Sequence, residues 1–148
     1  VRYVRFAAEG LCAYVRRLET CDTLTPEAAI PRSERESYVV DRKEFLQRLT
    51  YLKECVSPAK TTPVVYFENG CLSLQTPSAR YRAAIELPVH SEVAFAFNLS
   101  YMWDALQQFS GHVKVRLHVL SPVSPVTITA EGTDDVALVL PVRYRAAA

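Results

Sequence analysis

The stretch Asp41-Arg42-Lys43-Glu44-Phe45-Leu46 decides the fold, because its pattern recurs 57 residues later in Asn98-Leu99-Ser100-Tyr101-Met102-Trp103. Both stretches begin with a residue type that caps helices. Sliding the chain on itself by 57 residues places Asp41 on Asn98, Phe45 on Met102, Leu46 on Trp103, Leu49 on Leu106 and Leu52 on Phe109. The caps and the apolar positions both survive this shift, so we interpret the chain as containing an internal duplication.

Both copies predict a helix. In the first, Asp41 and Glu44 have the spacing of a capping box, and the helix is expected to end near Val56. Its apolar face comprises Phe45, Leu46, Leu49 and Leu52. In the second, the helix follows Asn98 and ends at Ser110-Gly111.

Short runs that favour strands surround both helices. A strand ending at Val39-Val40 precedes the first helix, and Asn69-Gly70 is the turn signal of a two-residue hairpin. The later strands are predicted at Val64–Phe67, Cys71–Leu74, about Ala79–Leu87, Glu92–Phe97, Val113–Leu120, Val126–Ala130 and Val136–Val142. Residues 38–144 therefore form two β-α-β-β-β repeats, an α+β fold with two helices on one face of a largely antiparallel sheet.

The chain before residue 38 lacks this repeated pattern. Two alternating runs, Tyr3–Phe6 and Leu11–Arg16, predict a hairpin. Residues 19–37 lose periodicity and carry Pro26 and Pro31, so they are interpreted as an extended connector. Residues 145–148 are interpreted as a tail that a cloning vector could have contributed.

Composition and charge exclude several classes of protein. The 148 residues, 49% of them apolar, have the size of a single domain. Seventeen Lys and Arg balance sixteen Asp and Glu, so the formal charge of +1 lacks the basic signature of a protein that grips nucleic acid. No Gly-rich phosphate loop occurs, and no run approaches the roughly 20 apolar residues of a membrane span. We expect a soluble protein with no membrane partner and, since it begins at Val1 rather than Met, a segment of a longer one.

No constellation of residues points to catalysis. The four cysteines form no C-x-x-C pair, so free thiols in a reducing cytosol are expected, with two disulfides in an exported domain as the alternative. His112 and His118 lack a nucleophile and an orienting group. Asp134-Asp135 is expected in a solvated turn, and Ser121–Pro125 is read as a rigid turn rather than a phosphorylated linker. We predict a chain that is not an enzyme and that has no metal or cofactor.

Four positive charges lie on the first helix, at Arg42, Lys43, Arg48 and Lys53. One interpretation is a solubilising surface with i,i+4 pairs such as Glu44 with Arg48. The other is a surface facing phosphates, on which each cation adds salt-dependent attraction without regard to base sequence. Periodicity alone does not choose between them.

Four motifs, in order, resemble the third domain of the bacterial sliding clamp, the beta subunit of DNA polymerase III. They are Phe97–Leu106, Val113–Leu117, Ser121–Ile128 and Leu138–Arg143. The resemblance is strong over residues 92–144 and weak before 38, where it implies the last hairpin of the second domain and the interdomain connector. It implies a clamp fold, with six domains in a head-to-tail dimer forming a ring whose helices line the hole. The four cations of the first helix would then face the encircled duplex DNA.

The resemblance also implies a pocket for short peptide motifs between the second and third domains. By motif match, the third-domain side comprises Asn98, Tyr101, Val123, Pro125, Leu138, Val139, Leu140, Pro141, Val142 and Arg143. Apolar walls would accept Leu and Phe anchors, while Asn98 and exposed backbone would orient the peptide. The alternative is that these residues only pack the end of the sheet.

Two segments depart from the family pattern. The family connector commonly carries a Pro-Asp-Tyr-Arg-Arg-like run, but residues 24–31 read Leu-Thr-Pro-Glu-Ala-Ala-Ile-Pro, without its basic contribution to the pocket. The ring-closing edge is assigned to Cys55, Val56, Arg80 and Arg82. Its strand, Ala79–Ile85, is basic where the family is commonly acidic. Either the partner edge has swapped sign or the dimer closes differently.

The resulting hypothesis is a non-catalytic processivity factor of bacterial DNA replication, cytoplasmic and associated with the nucleoid. Its homodimeric parent would encircle duplex DNA and bind the polymerase III alpha subunit, the clamp loader and repair proteins. One alternative is a clamp-like paralogue that binds peptides without forming a ring. Another is an enzyme whose site lies outside this segment.

Overall fold

The computed structural model describes residues 3–16, 26–33, 36–56, 63–76, 79–84 and 93–143. A hairpin of β1 (Tyr3–Ala8) and β2 (Leu11–Arg16) precedes a short helix, α1 (Pro26–Ala29). The first repeat comprises β3 (Glu36–Asp41), α2 (Arg42–Val56), β4 (Val64–Glu68), β5 (Cys71–Gln75) and β6 (Arg80–Ala84). The second comprises β7 (Phe95–Asn98), α3 (Leu99–Gln108), β8 (Lys114–Val119), β9 (Val126–Thr129) and β10 (Val136–Val139). The predicted α+β fold with two β-α-β-β-β repeats is confirmed.

The two repeats exchange their first strands. One four-stranded sheet has the order β6-β5-β4-β7 and the other has the order β10-β9-β8-β3, with antiparallel pairing between the described strands. Phe97 and Pro141 form an isolated bridge between the sheets, and the Val142 N–H donates to the Ala96 carbonyl at 2.8 Å. The single sheet expected from the sequence is therefore two sheets joined at this bridge.

The core repeats the predicted duplication. The helices pack against each other, and each contacts both sheets, α2 through β3 and β6, and α3 through β7 and β10. The buried positions of α2 are matched 57 residues later: Phe45 by Met102, Leu49 by Leu106 and Leu52 by Phe109. Since residues three and four apart share one helix face, both helices turn the same positions inward.

Both predicted N-caps are present. Asp41 Oδ1 accepts a hydrogen bond from the Glu44 N–H at 2.9 Å. Asn98 Oδ1 accepts from the N–H groups of Ser100 and Tyr101, at 2.9 and 3.2 Å. The Glu44 carboxylate lies 3.5 Å from Arg48 Nη2, the i,i+4 pair that the sequence predicted.

Turn geometry confirms the hairpins but corrects the connector. Asn69 and Gly70 have φ of 49° and 70°, the left-handed conformation at both central positions of a type I′ turn. Residues 26–29 form one helical turn instead of extended chain, because proline suits a first helical position and an acidic residue, Glu27, is favoured in the first turn. Cys12, Cys55 and Cys71 are free thiols. Cys21, the tail and residues 85–92 of the predicted strands lie outside the described residues.

Candidate functional site

One end of the molecule assembles the sequence-predicted pocket residues from three segments. Val126 pairs with Val139, so the β8–β9 loop and the segment after β10 leave the sheet at the same end. The bridge from Pro141 to Phe97 places that segment beside the start of α3. We call this region the three-segment surface: Asn98 and Tyr101, loop residues 121–125, and residues 138–143.

The three-segment surface is apolar and open to solvent. Tyr101, Val123 and Leu140 are 64%, 70% and 66% exposed. The pairings above bring the segments that carry these side chains to one end of the sheet, and a contiguous exposed apolar surface is typical of a binding site. Val139, in contrast, is only 2% exposed and belongs to the core, so for this residue the alternative of packing the sheet end holds. The half-buried members are Leu138, Pro141, Val142, Pro125 and Asn98, while Arg143 is exposed.

Hydrogen bonds fix the loop that carries Val123. The hydroxyl oxygens of Ser121 and Ser124 lie 2.7 Å apart, and the Ser124 N–H donates to the Ser121 carbonyl at 3.2 Å. The Val123 N–H donates to Ser121 Oγ at 3.4 Å. The loop is thus the rigid turn that the sequence predicted, and it presents Val123 to solvent.

Asn98 caps the N-terminus of α3, and this structural role limits what its side chain can contribute to binding. Its side-chain oxygen already accepts two hydrogen bonds from the first turn of α3. An amide side chain also carries an NH2 group with two donors. Asn98 can therefore orient a bound peptide only by donating to it.

Arg42 is placed in the interior, against the sequence-based assignment to the DNA-facing surface. The residue is 7% exposed, and its Nε donates to the His112 carbonyl at 2.9 Å while Nη2 donates to the Ser110 carbonyl at 3.2 Å. The guanidinium therefore ties the start of α2 to the chain between α3 and β8. The internal duplication contains a signal for this burial, because the 57-residue shift aligns Arg42 with Leu99, which is buried.

The three remaining cations of α2 are exposed but do not share one helix face. Lys43, Arg48 and Lys53 follow at intervals of five residues, which separates neighbours by about 140° around the helix. Lys53 Nζ lies 5.7 Å from the ring centroid of Trp103 on α3. The outer surface of the two helices also carries Glu44, Glu54 and Asp104. Cations and carboxylates are therefore balanced there.

The residues assigned to ring closure lie around one sheet edge. Among the described strands, β6 pairs only with β5 and leaves its other side open. Arg80 and Arg82 are exposed on it, and Arg80 Nη2 donates to Gln75 Oε1 at 3.0 Å. Because side chains alternate along a strand, these arginines face away from the buried Ala83. Cys55 and Val56 are half-buried at the end of α2, which packs beside β6.

Cys55 also perturbs a neighbouring tyrosine. The side-chain hydrogen bond with Cys55 raises the pKa of Tyr51 above its ordinary value of 10.0, and the negative charge of the Cys55 thiolate adds to this effect. Tyr81 on β6 contributes more weakly.

The N-terminal hairpin exposes an apolar face. The cross-strand pairs Val4 with Val15, Phe6 with Ala13 and Ala8 with Leu11 lie on one side of it. Every residue of β1 and β2 is exposed, so no part of the described chain covers this face.

A cavity of about 320 Å³, which no sequence pattern indicates, lies between residues 30–33 and the outer side of the β10-β9-β8-β3 sheet. Its lining includes His118, whose Nε2 lies 2.8 Å from Thr129 Oγ1. Strand alternation alone was able to place His118, Thr127 and Thr129 on the side away from the helices. Nothing in the sequence indicated that the connector folds back over them.

The remaining candidate residues show structural contacts. The His112 ring packs edge-on to Phe109 with centroids 6.3 Å apart. Asp134 and Asp135 are exposed in the β9–β10 connection. Within the described ranges, no group of three or more His, Cys, Asp or Glu side chains is arranged to hold a metal ion. In the same ranges, no helix is long and apolar enough to cross a membrane.

Comparisons with known proteins agree on one family. Residues 27–143 match the family model for the DNA polymerase III beta subunit, C-terminal domain. A beta sliding clamp of Caulobacter crescentus superposes with a TM-score of 0.78 at 20% identity, over 96% of this chain and 39% of that one. The DNA polymerase III beta chain of Streptococcus pneumoniae gives 0.73 at 21% identity, over 96% and 39% of the two chains. The beta subunit of Thermotoga maritima gives 0.72 at 18%, over 97% and 40%. No curated protein matches the chain in sequence. The chain spans about two-fifths of the length of these solved clamps.

Proposed function

Because the chain belongs to the DNA polymerase III beta subunit family, through the C-terminal domain of that subunit, we propose that it is the peptide-binding third domain of a sliding clamp. Residues 38–144 would form this domain, and residues 1–37 the last hairpin and connector of the second. The parent would act as a non-catalytic processivity factor of DNA replication in the bacterial cytoplasm, associated with the nucleoid.

The three-segment surface carries this proposal. Tyr101, Val123 and Leu140 offer solvent-exposed apolar area on a hydrogen-bonded framework, which suits the Leu and Phe anchors of a short linear motif. Partners with such motifs would include the polymerase III alpha subunit, the clamp loader and repair proteins.

A labelled Gln-Leu-x-Leu-Phe peptide tests this surface. We expect a Kd of about micromolar or weaker, since the chain supplies one side of the pocket, with NMR shifts at Val123, Leu138 and Pro141. Val123→Ser should weaken binding, whereas Val113→Ser, at a valine 63% exposed elsewhere, should not. Unchanged spectra at millimolar peptide would sink the proposal.

We also propose that the helices face duplex DNA, which the parent encircles rather than grips. Nearby carboxylates balance the charges of Lys43, Arg48 and Lys53. A balanced surface is compatible with a ring that encloses DNA, because a topological tether needs no tight contact. In the full-length protein, Arg48→Glu with Lys53→Glu should slow loading onto circular DNA several-fold, and more so at low salt, because the new carboxylates repel the phosphates as the ring closes around them. Arg116→Glu, on the opposite side of the domain, is the control. Equal loading rates for all three proteins would contradict this orientation.

The apolar hairpin face supports an assignment of β1 and β2 to the preceding domain, whose remaining strands would cover it.

The edge strand β6 bears on whether two subunits would close a ring. A partner edge would have to accommodate Arg80 and Arg82, and this favours, as a second candidate, a paralogue that binds peptides without closing a ring. Sedimentation of the full-length protein separates the two, since a ring requires a dimer.

A further inference from the structure

The cavity of about 320 Å³ is a second candidate binding site. The connector residues Ile30–Ser33 form one wall. The other is the side of the β10-β9-β8-β3 sheet that faces away from the helices, where Thr127 pairs with His118, and Thr129 with Val136. Thr127 is only 6% exposed, so the connector screens this part of the sheet from solvent.

The lining combines hydrogen-bond donors and one permanent cation with aliphatic walls. Arg32 supplies a guanidinium, and Ser33, Thr127 and Thr129 supply hydroxyl groups. Ile30, Leu120 and Val136 are apolar. None of the described lining residues is a carboxylate, and the exposed Arg116 lies two residues before His118, at the adjacent outward position of β8. These groups complement a carboxylate on a short aliphatic stem.

Two lining residues of the cavity adjoin the three-segment surface. Leu120 immediately precedes the loop that carries Val123. Thr127 pairs with Leu138, a member of that surface. A chain lying on the three-segment surface would therefore reach the cavity without crossing the core.

We propose that this cavity binds an acidic residue that flanks the apolar motif of a partner peptide. The inference rests on the proposed function. A peptide fits better than nucleic acid because the described lining residues offer aliphatic walls and include no Phe, Tyr or Trp on which a base would stack. The acidic side chain adds affinity and selects among partners that share the same apolar anchors.

The test compares a core peptide, Gln-Leu-Ser-Leu-Phe, with forms extended by Gly-Asp-Asp at the C-terminus or Asp-Asp-Gly at the N-terminus. One of the extended forms should bind this chain about three- to five-fold more tightly at low salt, a gain expected of a partly exposed ion pair. It should also shift the NMR signals of Thr127, Thr129 and Val136, which the core peptide leaves in place. Asn in place of Asp should abolish the gain.

Charge reversal locates the effect. Arg32→Glu should remove the gain and leave core-peptide affinity unchanged, whereas Arg80→Glu, the same charge change on the other sheet, should keep it. If the core peptide binds but neither extension helps, or if both variants act alike, the cavity assignment is overturned while the proposed function stands. If no peptide binds, both fail. A short DNA duplex that shifts the cavity signals more strongly than the extended peptides would overturn the acidic-peptide assignment.

Discussion

The two repeats of the domain share a scaffold and differ in what they build outside it. Phe45, Leu49 and Leu52 are buried at the positions that Met102, Leu106 and Phe109 occupy in the second repeat. The first repeat has the longer helix, 15 residues against 10, and carries the exposed Arg80 and Arg82 on its last strand, β6. The second ends in a segment that crosses to β7 and completes the three-segment surface. Core positions are therefore held by packing, while the element ends are free to carry different functions.

The largest effect on stability is expected from truncating side chains at equivalent core positions of the two repeats. Leu49→Ala and Leu106→Ala should each lower the free energy of unfolding by about 2–5 kcal/mol, because both side chains are 0% exposed and each would leave a cavity. Urea unfolding followed by circular dichroism measures both losses. Gln47→Ala, on the exposed side of α2, serves as the control. A cost under about 1 kcal/mol in one repeat only would show that the two cores are not equivalent.

A smaller effect is expected where the repeats differ in chemistry. Arg42→Leu gives the first repeat the residue that the second has at Leu99. It should cost about 1.5–3 kcal/mol, because the carbonyls of Ser110 and His112 lose charge-assisted hydrogen bonds. Arg48→Leu, at an exposed ion pair, should change stability by no more than about 0.5 kcal/mol. Similar losses for the two variants would mean that the buried contacts of Arg42 add nothing.

The smallest effect concerns Tyr51 and Cys55, whose counterparts in the second repeat are Gln108 and His112. Because the pKa of Tyr51 is raised, the unfolded chain loses the phenol proton first as pH rises above 10.0, so this residue lowers stability only in that range. Cys55→Ala should bring the pKa of Tyr51 back toward 10.0, while Cys71→Ala should leave it raised. An NMR titration of labelled tyrosine rings tests this, and an unmoved titration in Cys55→Ala would exclude the thiol as the cause.

Sequence patterns anticipated the parts of the fold that local chemistry controls. The caps at Asp41 and Asn98, the Asn69-Gly70 turn and the buried helix faces depend on residues close together in the chain. Strand exchange between the repeats was not predicted, because alternation assigns faces but not partners. The prediction that Arg42 lies on the DNA-facing surface is wrong, because it assumes that a charged residue is exposed. Hydrogen bonds to two backbone carbonyls compensate the burial of this guanidinium.

Of the two candidate binding sites, one was predicted from the sequence and the other was not. The three-segment surface was named from motifs that resemble a family, and the structure brings those segments together through the pairing of Val126 with Val139 and the bridge at Phe97. The cavity beside it was missed because it depends on where residues 30–33 fold back. Composition and spacing do not encode such a long-range contact.

Because the repeats exchange strands, the duplicated domain has the architecture of a linked dimer. One β-α-β-β-β unit alone would hold three strands of a sheet and a fourth that belongs elsewhere, so it would be complete only as a symmetric pair with its own copy. Joining two such units in one chain turns a concentration-dependent homodimer into an intramolecular assembly whose symmetry no longer constrains its sequence. Within this chain, each half supplies the fourth strand of the other half's sheet, while the two halves carry different residues on their surfaces.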